Sequence, residues 1–75
     1  MNETLLAILE EVTGADVRDD LDLDLYEEGI LDSFGTVQLL VEIDGQLGIQ
    51  VPVSDFERED WRTPNKIIAT VGSLA

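Results

Sequence analysis

The chain has 75 residues and carries seventeen Asp and Glu against four Lys and Arg, for a formal net charge of −13. That length allows one small domain, residues 1–75, and a surface this acidic excludes nucleic acid, which requires a basic face. With neither His nor Cys present, Ser-His triads, imidazole bases, thiol nucleophiles, zinc thiolates and redox pairs are all ruled out.

The acidity is not confined to a tail. Residues 1–57 hold fifteen acids and one base, Arg18, whereas residues 58–75 are slightly basic, with Arg58, Arg62 and Lys66 against Glu59 and Asp60. A hydrophobic content of 44% matches folded globular domains and exceeds that of disordered acidic segments. Without disulfides, helix packing has to hold a small core together, and the missing thiols fit a reducing compartment. The N-terminus MNETLLAILEE lacks the basic start of a signal peptide, and no uncharged stretch approaches the roughly 18 residues of a membrane span. These features predict a cytoplasmic protein without membrane insertion.

In chain order, Leu5, Ile8, Leu9 and Val12 recur at i, i+3, i+4 and i+7, which predicts an amphipathic helix from Asn2 to about Thr13. Asn2 is its expected N-cap and Gly14 its stop. Residues 15–32, ADVRDDLDLDLYEEGILD, have no helical period and no partner strand, so they are expected to form a long ordered loop anchored by its leucines. Asp20, Asp22 and Asp24 suggest a calcium loop, but an EF-hand starting at Asp20 requires Gly and Glu where this chain has Leu25 and Leu31. No metal site is expected.

A second helix is predicted from Ser33 to about Leu47, with Asp32 or Ser33 as N-cap and Gly48 beyond its end. Phe34, Val37, Leu39, Leu40, Val41, Ile43 and Leu47 spread over more than half its circumference, which predicts a central helix touched by several others. Asp44 is the one discordant position within that arc. A short helix is expected from Ser54 to Trp61, opened by a Ser54–Glu57 capping box. A last helix starts with Thr63 as N-cap and Pro64 at the first helical position, and turns Ile67, Ile68, Val71 and Leu74 inward. The predicted fold is all-α: a small four-helix bundle of three longer helices and one short one.

The segment GILDSFGTVQLL, residues 29–40, carries the chemistry. Ser33 stands where loop becomes helix, near unpaired N–H groups and the positive end of the helix dipole, a setting that accommodates a phosphate. Three readings of Ser33 are open. It can serve as an N-cap; it can be read as the nucleophile of a GxSxG elbow, although the first Gly, the preceding strand and any His are missing; or it can accept a phosphate-linked prosthetic group. The last needs only an accessible hydroxyl, since the attaching enzyme supplies the catalysis.

The Asp32-Ser33 pair at this position resembles the acyl and peptidyl carrier protein family, in which Asp-Ser opens the second helix of a four-helix bundle. The run DLDLYEEGILDSFGTVQLLVEIDGQLGI followed by VPVSDFEREDWRTPNKII is similar to the D-alanyl carrier branch found in Gram-positive bacteria. The resemblance extends from Leu5 to the end of the chain. Asp-Ser alone is a weak signal, whereas Pro52 to Ser54, Phe56, Trp61 and Thr63 to Ile68 are specific to this branch. Phe34 stands where the branch usually has Met.

The resemblance implies a carrier that catalyses nothing. Ser33 would bear 4'-phosphopantetheine, transferred from coenzyme A by a magnesium-dependent phosphopantetheinyl transferase. A dedicated D-alanine–carrier ligase would load D-alanine on the terminal thiol as a thioester, and a membrane D-alanyl acyltransferase system would use it to esterify teichoic acids. Asp32 is expected to cap the helix beside the attachment point. Phe34 is expected either as an exposed partner contact or as a core aromatic, and Gln38 and Glu42 on the docking face or simply as solvated positions. Trp61 is read as a core anchor. Other readings are a carrier for another pathway, an acidic interaction module with no prosthetic group, and, more distantly, a carboxylate hydrolase.

Eleven of the seventeen acids precede Ser33. This predicts electrostatic attraction toward basic partner enzymes that weakens with salt. The basic cluster from Arg58 to Lys66 is expected to lie away from the partner face.

Overall fold

The first periodic segment folds as α1, Asn2–Thr13, in a computed structural model that describes residues 2–52 and 56–74. Leu5, Leu6, Ile8 and Leu9 are buried and Val12 packs at the edge of the core, so the inward stripe is the expected one widened by Leu6. Asn2 is the first helical residue and not a cap ahead of it. At the other end Gly14 adopts φ 76°, a left-handed conformation that strains any residue with a Cβ. Its N–H thereby donates to the Glu10 carbonyl at 2.7 Å, closing the helix.

Residues 15–32 form the expected irregular loop. Val17, Leu25 and Leu31 are buried, and Leu21 and Leu23 are packed against the core. Each fully buried leucine stabilises by roughly 1.5–3 kcal/mol, which offsets an ordering cost of about 1–2 kcal/mol per backbone residue at those positions. The start of the loop is tied to α1 by Arg18, which reaches Glu3 and Glu10 at 2.7 Å and Asp16 at 3.0 Å. The Arg18 backbone N–H, and then its guanidinium, hold the Asp16 carboxyl below the usual range.

The middle of the loop is stitched to a distant part of the chain. Leu25 N–H donates to the Arg62 carbonyl at 2.7 Å and Asn65 N–H to the Leu21 carbonyl at 2.9 Å. Side chains repeat the pattern: Arg62 meets Asp24 at 2.9 Å and Asn65 Nδ2 donates to Asp22 Oδ1 at 2.8 Å. The Asp24 carboxyl is held below the usual range by the Glu27 backbone N–H and then by Arg62. Two of the three alternating aspartates, Asp22 and Asp24, thus serve as acceptors for the C-terminal segment.

Helix α2, Ser33–Leu47, ends at Gly48, which is left-handed (φ 67°) and donates to the Asp44 carbonyl. Its apolar arc is not uniformly covered, contrary to the central-helix expectation. Thr36, Leu39 and Ile43 are buried, Leu40 and Leu47 are half-buried, while Phe34, Val37 and Val41 are 79%, 61% and 62% exposed. The reason is that α2 packs on α1 alone among the helices; α3, Pro64–Leu74, packs on α1 and on a 3-10 helix, Arg58–Trp61. One flank of α2 is therefore left uncovered. Asp44 is exposed, as its position near the helix end allows.

The short helix differs from the expected one. Glu57 is extended (φ −118°, ψ 119°) and makes no side-chain cap hydrogen bond; Ser54, the other half of the predicted capping box, lies outside the described residues. What forms is a single 3-10 turn closed by Asp60 N–H to the Glu57 carbonyl at 3.0 Å. Four residues suit the tighter i to i+3 geometry, and the turn delivers Trp61 to the core at 1% exposure. Phe56 packs against Trp61 with ring centroids 5.6 Å apart. Helix α3 then begins as expected, with Thr63 Oγ1 accepting from Lys66 N–H at 3.1 Å. Pro64, Ile67 and Val71 are buried and Ile68 half-buried, but Leu74, expected inward, is exposed at the helix end.

The described residues are thus all-helical, with three α-helices and one 3-10 helix. None of these helices is long and apolar enough to cross a membrane.

Candidate functional site

Ser33 is the first residue of α2 and is exposed. The cap is Asp32, extended at φ −130°, whose Oδ1 accepts from Gly35 N–H at 2.7 Å. Of the two residues expected to compete for that role, the aspartate takes it, so the serine hydroxyl is not consumed by the fold. Gly35 has a matching spatial role: a Cβ there would lie 3.3 Å from Asp32 Oδ1 and 3.4 Å from Leu31 Cδ1. This close approach accounts for the Gly that superficially completed a nucleophile elbow. Replacing Asp32 by Ala should cost about 1 kcal/mol of stability, read as a lower midpoint in urea denaturation, with Ser33 still exposed.

Beside Ser33 opens a largely apolar groove of about 300 Å³ between α2 and the 3-10 helix. Val37, Leu40 and Val41 form its α2 side, and Tyr26, Phe56 and Arg58 the opposite side. Thr36 Oγ1 donates to the Asp32 carbonyl at 2.7 Å and lies 2.8 Å from the Tyr26 hydroxyl. A hydroxyl carries one hydrogen, so Tyr26 is the donor to Thr36, and the loop is pinned to the first turn of α2 next to Ser33.

The other residues singled out in the sequence, Phe34, Gln38, Glu42 and Trp61, are not among those lining this groove. Phe34 is exposed, so it is not a core aromatic. Gln38 is exposed and Glu42 half-buried, where it accepts from Gln46 Nε2 at 2.8 Å. Trp61 is a core anchor. The basic cluster, expected as one patch remote from partners, is divided. Lys66 and Arg62 pair with Glu59 at 2.9 and 2.8 Å, holding its carboxyl below the usual range. Arg58 instead lies over the Tyr26 ring, 4.2 Å from its centroid, on the wall of the Ser33 groove. Arg58 opens the 3-10 helix, whereas Arg62 follows its end and Lys66 lies in α3, so the three belong to different elements.

Tyr26 and Thr36 were not singled out in the sequence, and Arg58 was placed there only in a basic cluster away from partners. For Thr36 a signal existed: counted as inward, it completes a stripe with Leu39, Leu40, Ile43 and Leu47 at i, i+3, i+4, i+7 and i+11. Phe34, Val37 and Val41 then form a separate stripe.

The site presents the exposed Ser33 beside an apolar groove of about 300 Å³. The fit to a phosphate-linked prosthetic group rests on the free, exposed hydroxyl and on this adjoining groove. Comparison with known proteins agrees. A family model described as "Phosphopantetheine attachment site" matches residues 3–71. The chain is 63% identical over 75 residues to the D-alanyl carrier protein of Enterococcus faecalis, covering 99% of this chain and 96% of that one. It is 59% identical over 71 residues to D-alanyl carrier protein 2 of Lactiplantibacillus plantarum, covering 95% and 89%. It is 45% identical over 74 residues to the D-alanyl carrier protein of Leuconostoc mesenteroides, covering 99% and 95%. With near-complete coverage on both sides, these matches establish that the chain belongs to the phosphopantetheine attachment-site family, within its D-alanyl carrier branch.

Proposed function

We propose that the chain acts as a single carrier domain, residues 1–75, that carries D-alanine as a thioester on 4'-phosphopantetheine attached to Ser33 and delivers it for D-alanylation of teichoic acids in the cell wall. The family's prosthetic group is covalently attached 4'-phosphopantetheine, and its members carry substrates without catalysing reactions themselves. The observation that carries the site assignment is the exposed Ser33 hydroxyl, released from capping by Asp32. When bound, the group supplies the thiol this Cys-free chain lacks, on which D-alanine is held as a thioester.

The chain's own residues present and position. Asp32 holds the first turn of α2, so the attachment point has a defined place and direction. Phe34, with Gln38 and Glu42 nearby on the same helix, is read as the docking face for a phosphopantetheinyl transferase, a D-alanine–carrier ligase and a membrane D-alanyl acyltransferase system. Exposed apolar side chains in a strongly acidic surface suit partners with an apolar contact flanked by basic residues. Association should therefore slow with added salt. We read the 3-10 helix as the short fourth member of an acyl-carrier-like four-helix bundle, and the protein as cytoplasmic, without nucleic-acid or membrane-inserting partners.

The test supplies the phosphopantetheinylated protein with ATP, D-alanine and the cognate ligase. A hydroxylamine-labile D-alanyl adduct is expected, and preferential loading of an L-amino acid or a fatty acyl group would remove the teichoic-acid reading. In the same assay Phe34→Ser should reduce loading about tenfold, equivalent to about 1.4 kcal/mol of lost contact. Its folding stability should stay within about 0.5 kcal/mol of the parent, as for most surface substitutions. Unchanged loading would take Phe34 out of the ligase interface.

A further inference from the structure

The four cations of this chain are placed differently. Arg18 is held by Glu3, Glu10 and Asp16, Arg62 by Asp24 and Glu59, and Lys66 by Glu59. Arg58 makes no ion pair among the described residues. Arg58 is an exposed residue whose guanidinium rests over the Tyr26 ring, 4.2 Å from the centroid, on the wall of the groove that also includes Ser33. A ring face attracts the charge but does not use up the five N–H donors of the guanidinium.

The support beneath Arg58 is fixed relative to Ser33. Tyr26 donates to Thr36, and Thr36 donates to the Asp32 carbonyl, one residue before the serine. Arg58, Tyr26, Thr36 and Asp32 thus form a continuous chain of contacts that ends at the attachment point. Arg58 is thus a cation on the wall of the groove that Ser33 also lines, where a further negative charge would be introduced.

We infer that Arg58 pairs with the phosphodiester created on Ser33, an inference that rests on the attachment reading above. In that attachment Ser33 Oγ forms a new bond to phosphorus and loses its proton to the transferase. The bond from that phosphorus to the adenosine 3',5'-bisphosphate half of coenzyme A breaks. A neutral hydroxyl becomes a phosphodiester carrying one negative charge, in a chain already at −13. A guanidinium matches phosphate oxygens with a planar pair of donors, which an ammonium cannot do. The pairing offsets the added charge and holds the base of the prosthetic group against the groove between α2 and the 3-10 helix.

The experiment compares apo and holo protein by ¹⁵N NMR of the Arg58 Nε–H, and holo protein with holo Arg58→Gln by ³¹P NMR. Intact mass and peptide mapping first establish that Ser33 carries the group in each sample. The Arg58 Nε–H resonance is expected to shift on modification. The ³¹P resonance should differ between the unsubstituted and Arg58→Gln proteins at low salt, and the difference should collapse as salt screens the pair. Arg58→Lys, which keeps the charge but loses the fork, should fall between them. Coincident ³¹P resonances at low salt, or an Arg58 Nε–H signal unmoved by modification, overturn the pairing while leaving Ser33 as the attachment site. The comparison of apo and holo protein needs no variant, so it decides the matter even if Arg58→Gln folds poorly. A group mapped to a residue other than Ser33 overturns the attachment reading and the pairing together.

Discussion

Co-expressed with a phosphopantetheinyl transferase, Ser33→Ala should emerge at its unmodified mass, while the unsubstituted chain gains one phosphopantetheine. The expectation is all-or-none because Ser33 is the exposed hydroxyl at the start of α2, whereas the Thr36 hydroxyl beside the groove is buried and engaged with Tyr26 and the Asp32 carbonyl. The substitution is also clean. Ser33 is exposed and Asp32, not Ser33, caps the helix, so removing the hydroxyl breaks no hydrogen bond on which the fold depends. Ala has a higher helix propensity than Ser, and the variant should match the parent to within about 0.5 kcal/mol, with an unchanged far-UV circular dichroism spectrum. Loss of modification can then be assigned to chemistry and not to unfolding. Retained modification in Ser33→Ala would sink the site assignment. The contrast with Asp32→Ala sharpens it: that variant should lose cap stability yet still accept the group.

The largest structural effect is expected at Trp61. It is among the largest fully buried side chains of the molecule, and Trp→Ala in a core costs about 3–5 kcal/mol. A chain of 75 residues, at roughly 0.05–0.15 kcal/mol per residue, has about 4–11 kcal/mol of total stability. Trp61→Ala should therefore remove a large share of it, seen as a strongly reduced urea midpoint or as an unfolded protein. Phe56→Ala, at a half-buried partner ring, should cost less. A further consequence is local. The carbonyl of Arg62, next in sequence, accepts from Leu25 N–H, so loosening Trp61 loosens the loop that carries Tyr26 to the Ser33 groove. Amide exchange at Leu25 should accelerate in any Trp61 variant that still folds. A cost below about 1 kcal/mol would show that the core closes without this ring and would refute the anchor assignment.

The two faces of α2 show where pattern reading stops. Phe34, Val37 and Val41 have the same hydropathy as Leu39 and Ile43, and periodicity sorts residues by angle around an axis without saying which angles have neighbours. Thr36 presents the converse case: it is polar in composition but buried, because its hydroxyl has two local partners, the Asp32 carbonyl and Tyr26. Polar groups can be buried when their hydrogen bonds are met, and those partners belong to tertiary structure. The Arg58–Lys66 cluster failed as a unit for a related reason. Proximity in sequence says little about shared direction across a 3-10 turn that leads into a new helix.

Features that depend on local rules were legible in the amino-acid sequence itself: α1 and α2 with their glycine stops, Thr63 and Pro64 opening α3, the leucine-anchored loop, and the Asp-Ser pair at a helix start. They depend on backbone geometry, capping and short-range periodicity, all of which operate within a few residues. The net charge of −13 was likewise available at once, and with it the expectation of no nucleic-acid partner. The tertiary structure decided which flank of α2 stays open and that Tyr26 and Arg58 wall the groove beside Ser33. Those outcomes depend on how residues far apart in sequence pack: α1 covers one side of α2, while the loop and the Trp61 segment meet each other on the far side of the groove. Burial and direction are properties of that packing, and no single segment encodes them.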